Sequence, residues 1–228
     1  LTAPSVWYLA TLNAPGLAVT GATLPGVPGV ILGRNPRVAW GFTNTGADQQ
    51  DLYVERLNPQ DAGEYETPDG WRRFAERVER FGVRGAPDVE LHVRETRHGP
   101  VISGLDGIAK QFGSPQYVLA LRWAALDPGD RSMVAIRALN HARSVADAER
   151  ALADFNVVTQ SAVLADADGA IGFVVTGRMP LRDAQDTLRG IAPAPGWDAR
   201  HDWQGYVPYA DAPRTRDPAV GFVATANH

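Results

Sequence analysis

Asp48-Gln49-Gln50-Asp51 sets two carboxylates three residues apart in a polar loop between apolar runs. A hard cation such as Ca²⁺ draws on such side chains together with an intervening main-chain carbonyl. The same pattern also describes a turn residue, Asp48, followed by a solvated strand start, Asp51. Asn44 and Asn227 each fall where a strand is expected to end, a place from which a backbone N–H or a carboxamide can be aimed at a ligand oxygen. An Asn there can equally just cap a turn. His92 and His98 would share one face only if a strand ran unbroken through Arg97, so a wet strand histidine and a turn histidine bonded to backbone are expected rather than a metal pair. His201 and Asp202 are adjacent, and neighbours in an extended segment point opposite ways, so they cannot pair as in a catalytic triad. The G-x-S-x-G, G-x-x-x-x-G-K-[ST] and H-E-x-x-H patterns are all missing, and the absence of cysteine removes disulfides, thiolate nucleophiles and thiolate ligands together.

These groups must be carried by ordinary globular elements, because the 228 residues are 44% hydrophobic and 21% charged. The net charge is −4 and no Lys/Arg cluster is interleaved with aromatics, which argues against nucleic acid and for a small or neutral partner. No apolar run reaches the roughly 18–20 residues that would span a bilayer, so no membrane partner is expected. Strands are expected at 29–33, 38–43, 51–57, 76–83, 88–95 and 117–124. Helical spacing follows at 133–142 and 144–155, with Ser144 and Asp147 placed as a cap and an N3 carboxylate. A hairpin is expected over 161–177, turning at Asp166-Ala167-Asp168-Gly169. Residues 180–218 suit an ordered loop pinned by Trp197, Trp203, Tyr206 and Tyr209, and 219–228 a final strand. Strands grouped apart from helices imply an α+β fold, mostly antiparallel with helices flanking the sheet, and a single domain over 1–228.

An ordered series of segments then carries a resemblance: APSVWY (3–8), PGVPGVILGRNPRVAWGFTNTGADQQDLY (25–53), RHGPVI (97–102), LADADGAIGFVVTGRMPLR (164–182) and GFVATANH (221–228). In their order and separation the chain resembles the penicillin acylase family of N-terminal-nucleophile amidohydrolases, which includes cephalosporin and acyl-homoserine-lactone acylases. The resemblance implies a four-layer αββα fold and a precursor cleaved into two chains. The larger chain starts with a serine whose own α-amine is the general base, an amine that titrates near neutrality. This segment would begin a few tens of residues after that serine and stop before the large subunit ends. Leu1 is then not the nucleophile, the segment alone is expected to be inert, and a companion small subunit and a periplasmic location are expected. By motif the backbone N–H of Asn44 and the side-chain amide of Asn227 match the oxyanion donors. Asp48, the Gln50 carbonyl and Asp51 match ligands of a structural calcium. Leu32 and Phe42 match the acyl pocket. The implied reaction is hydrolysis of a β-lactam side-chain amide or related N-acyl compound. An N-acyl-homoserine lactone is the alternative substrate, and a non-catalytic, calcium-stabilised binding module the alternative of another class.

Overall fold

The computed structural model describes residues 5–105 and 114–227. The outermost residues of the resembling segments, Ala3, Pro4 and His228, lie outside that range. In chain order the strands are β1 (Tyr8–Ala14), β2 (Leu17–Thr23), β3 (Leu32–Arg34), β4 (Val38–Asn44), β5 (Gln50–Arg56), β6 (Glu64–Thr67), β7 (Gly70–Arg73) and β8 (Ala75–Phe81). After them come β9 (Val89–Thr96), β10 (Gly99–Pro100) and β11 (Tyr117–Trp123), then helices α1 (Ser132–Asn140) and α2 (Val145–Leu152). The hairpin β12 (Gln160–Asp166) and β13 (Ile171–Thr176), then β14 (Ala194–Pro195) and β15 (Arg214–Arg216), complete the order.

The chain forms two compact units. The first comprises Leu1–Ala47, Asp127–Met179 and Tyr206–His228; the second comprises Asp48–Leu126 and Pro180–Gly205. The first unit holds a seven-stranded antiparallel sheet in the order β1-β2-β3-β4-β12-β13-β15. Its core is built from the inward side chains of the sheet, Val38, Trp40, Ala162, Leu164 and Val174, against Ile136 and Leu139 of α1 and Val145, Ala148 and Leu152 of α2. Burying those stripes is what fixes the helices on the sheet face. The N-cap of α2 forms as expected: Ser144 Oγ accepts from Asp147 N at 3.1 Å, and Asp147 Oδ2 accepts from Arg143 N at 3.0 Å. The second unit holds three small sheets, β11-β5-β14, β10-β9-β8 and β6-β7, in which only the β14–β5 pairing is parallel among the described residues.

Two strand expectations are corrected. The strand expected from residue 29 starts only at Leu32, because the carboxamide of buried Asn140 takes both main-chain groups of Val30: Oδ1 accepts from Val30 N at 2.8 Å and Nδ2 donates to Val30 O at 2.7 Å. No ladder bond is left for Val30 to make. The strand expected at 219–228 is absent from the described part of that segment, and the last strand is instead β15, inside the stretch expected to be loop. Pro218, which has no N–H, starts a turn closed by Gly221 N to Pro218 O at 2.8 Å.

Candidate active site

In the first unit β4 ends at Asn44, directly opposite Gln160 at the start of β12. Gln160 Nε2 donates to Asn44 Oδ1 at 2.8 Å, so the Asn44 side chain is held within the sheet. One residue earlier, Thr43 Oγ1 lies 2.8 Å from Thr225 Oγ1, on the irregular segment that carries Asn227. Asn227 has φ of 59°, a left-handed conformation that asparagine tolerates better than most side chains.

Asn44 and Asn227 line the same cavity, of about 470 Å³, as do Leu32 and Phe42. That volume lies within the usual ~300–1,000 Å³ of small-molecule sites. Met133 and Ile136 of α1, with Phe155, Val157 and Val158, supply much of the remaining apolar wall. Trp40 Nε1 donates to Ile31 O at 2.8 Å, which fixes the approach to Leu32, and Phe42 stacks on Phe155 with ring centroids 5.8 Å apart. Ser132 secures the opposite wall, because its buried Oγ accepts from the N–H groups of Asn156 and Val157, both at 3.0 Å, and donates to Asp130 Oδ1 at 2.6 Å. None of the described residues lining the cavity is ionisable; the polar groups among them are Thr43, Asn44, Ser132, Gln160, Asn227 and the Trp7 indole.

In the second unit Asp48 and Asp51 converge on one guanidinium. Arg182 Nε and Nη2 donate to the two carboxylate oxygens of Asp51 at 3.0 and 2.7 Å, and Nη2 lies 3.4 Å from Asp48 Oδ2. Trp203 Nε1 donates to Asp51 Oδ2 at 2.5 Å. Burial works against the Arg182 charge, yet hydrogen bonding and attraction from Asp51 prevail and hold its pKa above the ordinary value. The Tyr53 hydroxyl is pushed up by burial first and by the Asp51 charge second.

The penicillin amidase family model matches residues 1–228. The chain belongs to the penicillin amidase family. Among its relatives, an acyl-homoserine lactone acylase QuiP of Pseudomonas aeruginosa is 36% identical over 234 residues, covering 100% of this chain and 27% of that protein. A penicillin acylase 2 proenzyme of Pseudomonas sp. (strain SE83) is 35% identical over 216 residues, covering 91% of this chain and 26% of that protein. The thermostable penicillin G acylase from Alcaligenes faecalis matches in structure with a TM-score of 0.83 and 28% identity, covering 99% of this chain and 39% of that one. The chain thus spans about a quarter of the length of the curated relatives it matches.

For a penicillin amidase, the calcium expectation can be tested on the donor groups present. A Cβ at Gly190 would stand 2.2 Å from Asp51 Oδ1, 2.6 Å from Asp48 Oδ2 and 3.0 Å from Arg182 Nη2, so only glycine fits against both carboxylates and the guanidinium they share. Two carboxylates against one guanidinium leave a net negative charge. This is a fitting partial donor set for a hard cation, although Ca²⁺ takes about six to eight oxygens. Among the described residues no group of three or more His, Asp or Glu side chains is arranged to hold a metal.

The histidines fall differently from one another. His201 and Asp202 make separate partnerships, as adjacency demands: His201 Nδ1 lies 2.7 Å from Asp186 Oδ1, whereas Asp202 faces Arg97 and His98. The expectation of backbone bonding for the His98 ring is corrected, since both ring nitrogens face carboxylates and the ring stacks on Tyr53 at 3.6 Å. Gln160, Thr225, Ser132 and Arg182 all escaped the sequence analysis. Only Gln160 left a usable signal there, a polar residue opening a strand that must pair with β4.

Proposed function

We propose that this chain supplies the oxyanion donors and the acyl pocket of an amidohydrolase that cleaves a linear amide through an acyl-enzyme. The observation that carries this reading is the shared cavity: Asn44 and Asn227 both border one largely apolar chamber with no ionisable residue among its described lining residues. The nucleophile is an N-terminal serine outside these residues, deprotonated by its own α-amine, which suits a chamber offering no base of its own. The Asn44 main-chain N–H and the Asn227 carboxamide receive the oxyanion as the carbonyl becomes tetrahedral. Leu32 and Phe42 hold the acyl group, whose remote part is apolar and uncharged, because a terminal carboxylate would lose its hydration here with no cation among the described lining residues to receive it.

The amide is the side-chain amide of a β-lactam or a related N-acyl compound. A second reading, an N-acyl-homoserine lactone, is favoured by the relatives named acyl-homoserine lactone acylases and by the charge-free wall. The complete protein is read as a four-layer αββα, periplasmic heterodimer with a small subunit from the same precursor. A structural calcium lies at Asp48, the Gln50 carbonyl and Asp51, and the chain alone is inert.

The test is hydrolysis by the complete processed protein of phenylacetyl, octanoyl and glutaryl amides, the last bearing a carboxylate. Phenylacetyl or octanoyl substrates should be cleaved at least tenfold faster than glutaryl. Asn227→Gly, which keeps the backbone conformation open, should cut kcat by about 10²–10³. A preference for glutaryl would overturn the pocket assignment. Full activity of Asn227→Gly would overturn the oxyanion assignment, and inactivity of the intact protein on every amide would favour a binding module.

A further inference from the structure

Asn44 and Asn227 reach the cavity by unlike routes. Asn44 closes a strand whose last residues are held in register by β12, which pairs Ser161 with Thr43 and Gln160 with Asn44. Asn227 follows a stretch, 222–227, with no regular secondary structure, so no ladder fixes its distance from β4. Between them stands the contact of Thr43 Oγ1 with Thr225 Oγ1 at 2.8 Å. Thr43 precedes Asn44 by one residue and Thr225 precedes Asn227 by two. A hydroxyl pair at that place ties the irregular segment to the rigid strand just before each carries its amide to the cavity.

We propose that Thr43 and Thr225 are positioning residues whose mutual hydrogen bond sets the separation of the Asn44 N–H and the Asn227 carboxamide. The inference rests on the oxyanion reading of those two groups. Neither threonine needs to touch substrate through this bond. Its effect is geometric, and geometry is costly in such a site because a shift of about 1 Å can lower a rate about 10²-fold. Thr43 also borders the cavity, so Thr225, which does not line it, gives the cleaner variant.

The experiment uses the complete processed enzyme and its best amide substrate. Thr225→Val keeps the side-chain shape and removes the hydroxyl. It should lower kcat by about tenfold or more with KM within about twofold and an unchanged melting temperature, and Thr225→Ser should restore most of the rate. Thr43→Val/Thr225→Val should be no slower than the slower single variant, since both remove one bond. Unchanged kcat in Thr225→Val, a rise in KM alone, or losses that multiply in the double variant would each overturn the proposal. Asn227→Gly separates the two ideas: if it is slow while Thr225→Val is fully active, the oxyanion reading survives and this one fails. If Asn227→Gly is itself fully active, both fall.

Discussion

His98 Nδ1 lies 2.7 Å from Glu55 Oε1, inside the second unit, and the Glu55 side chain is wholly buried. The other ring nitrogen of His98 lies 3.0 Å from Asp202 Oδ1, and Arg97 grips the same aspartate through two nitrogens. The second oxygen of Glu55 has no partner among the described residues and packs against Gly196, where a Cβ would come within 1.9 Å. The ring is therefore the hydrogen-bond partner, among the described side chains, of a carboxyl group that water cannot reach.

His98→Leu should cost about 3–5 kcal/mol of unfolding free energy, the usual result of stranding one member of a buried pair. Glu55→Leu/His98→Leu removes the stranded carboxyl group as well. Chemical denaturation of the complete protein should find the double variant more stable than His98→Leu alone; the reverse order would show that the ring acts by packing on Tyr53 rather than by its bond to Glu55.

Acid should act through Asp186 and Asp202. Burial raises both, but Asp186 is held below the usual carboxylate range by the His201 ring and the N–H groups of Leu188 and Arg189, and Asp202 by the His98 ring and Arg97. A folded-state pKa below the unfolded value stabilises above the unfolded pKa of about 3.9 and fades as pH falls through the lowered value. Stability measured against pH should therefore drop below about pH 4, and Asp202→Asn should make that drop shallower. An unaltered acid slope in the variant would remove Asp202 from the account.

The close packing of Gly190 against Asp48 and Asp51 gives a test of calcium that does not depend on catalysis. Gly190→Ala puts a methyl among Asp48, Asp51 and Arg182 and forces an alanine to adopt φ of 78°. Calorimetric titration of the chelator-treated complete protein should show one calcium site in the parent and a weakened one in Gly190→Ala and in Asp51→Asn. Equal affinity in all three would place the cation elsewhere.

Phe42 narrows the cavity against Phe155. Phe42→Leu should raise the kcat/KM ratio of a dodecanoyl over an octanoyl amide by about tenfold, within the range that a few methylenes command in an apolar pocket. No change in that ratio would reassign Phe42 to core packing.

How much of this was legible follows from what each feature depends on. The two helices, the Ser144 cap and the β12–β13 hairpin rest on local periodicity and turn chemistry, and the sequence carries both in the open. The β1–β2 hairpin is not evident in the sequence although Pro15-Gly16 marks its turn, because YLATLNA mixes apolar and polar residues without clean alternation. Val30 could not be excluded from a strand by any local rule, since Asn140, which claims it, lies 110 residues away. The candidate site divides the same way. Asn44 and Asn227 stand out in the sequence as strand-end amides, their oxyanion role and the pocket role of Leu32 and Phe42 came from resemblance, and Thr225 and Arg182 depend on pairings that only folded geometry brings about.

The seven-stranded sheet draws β1–β4 from residues 8–44, β12 and β13 from 160–176 and β15 from 214–216. During translation the open edge of β4, with Val38 and Trp40 beside it, waits for its neighbour until residue 160 has left the ribosome. That interval is when the nascent polypeptide is most prone to stick to other chains, and when chaperones have most to shield.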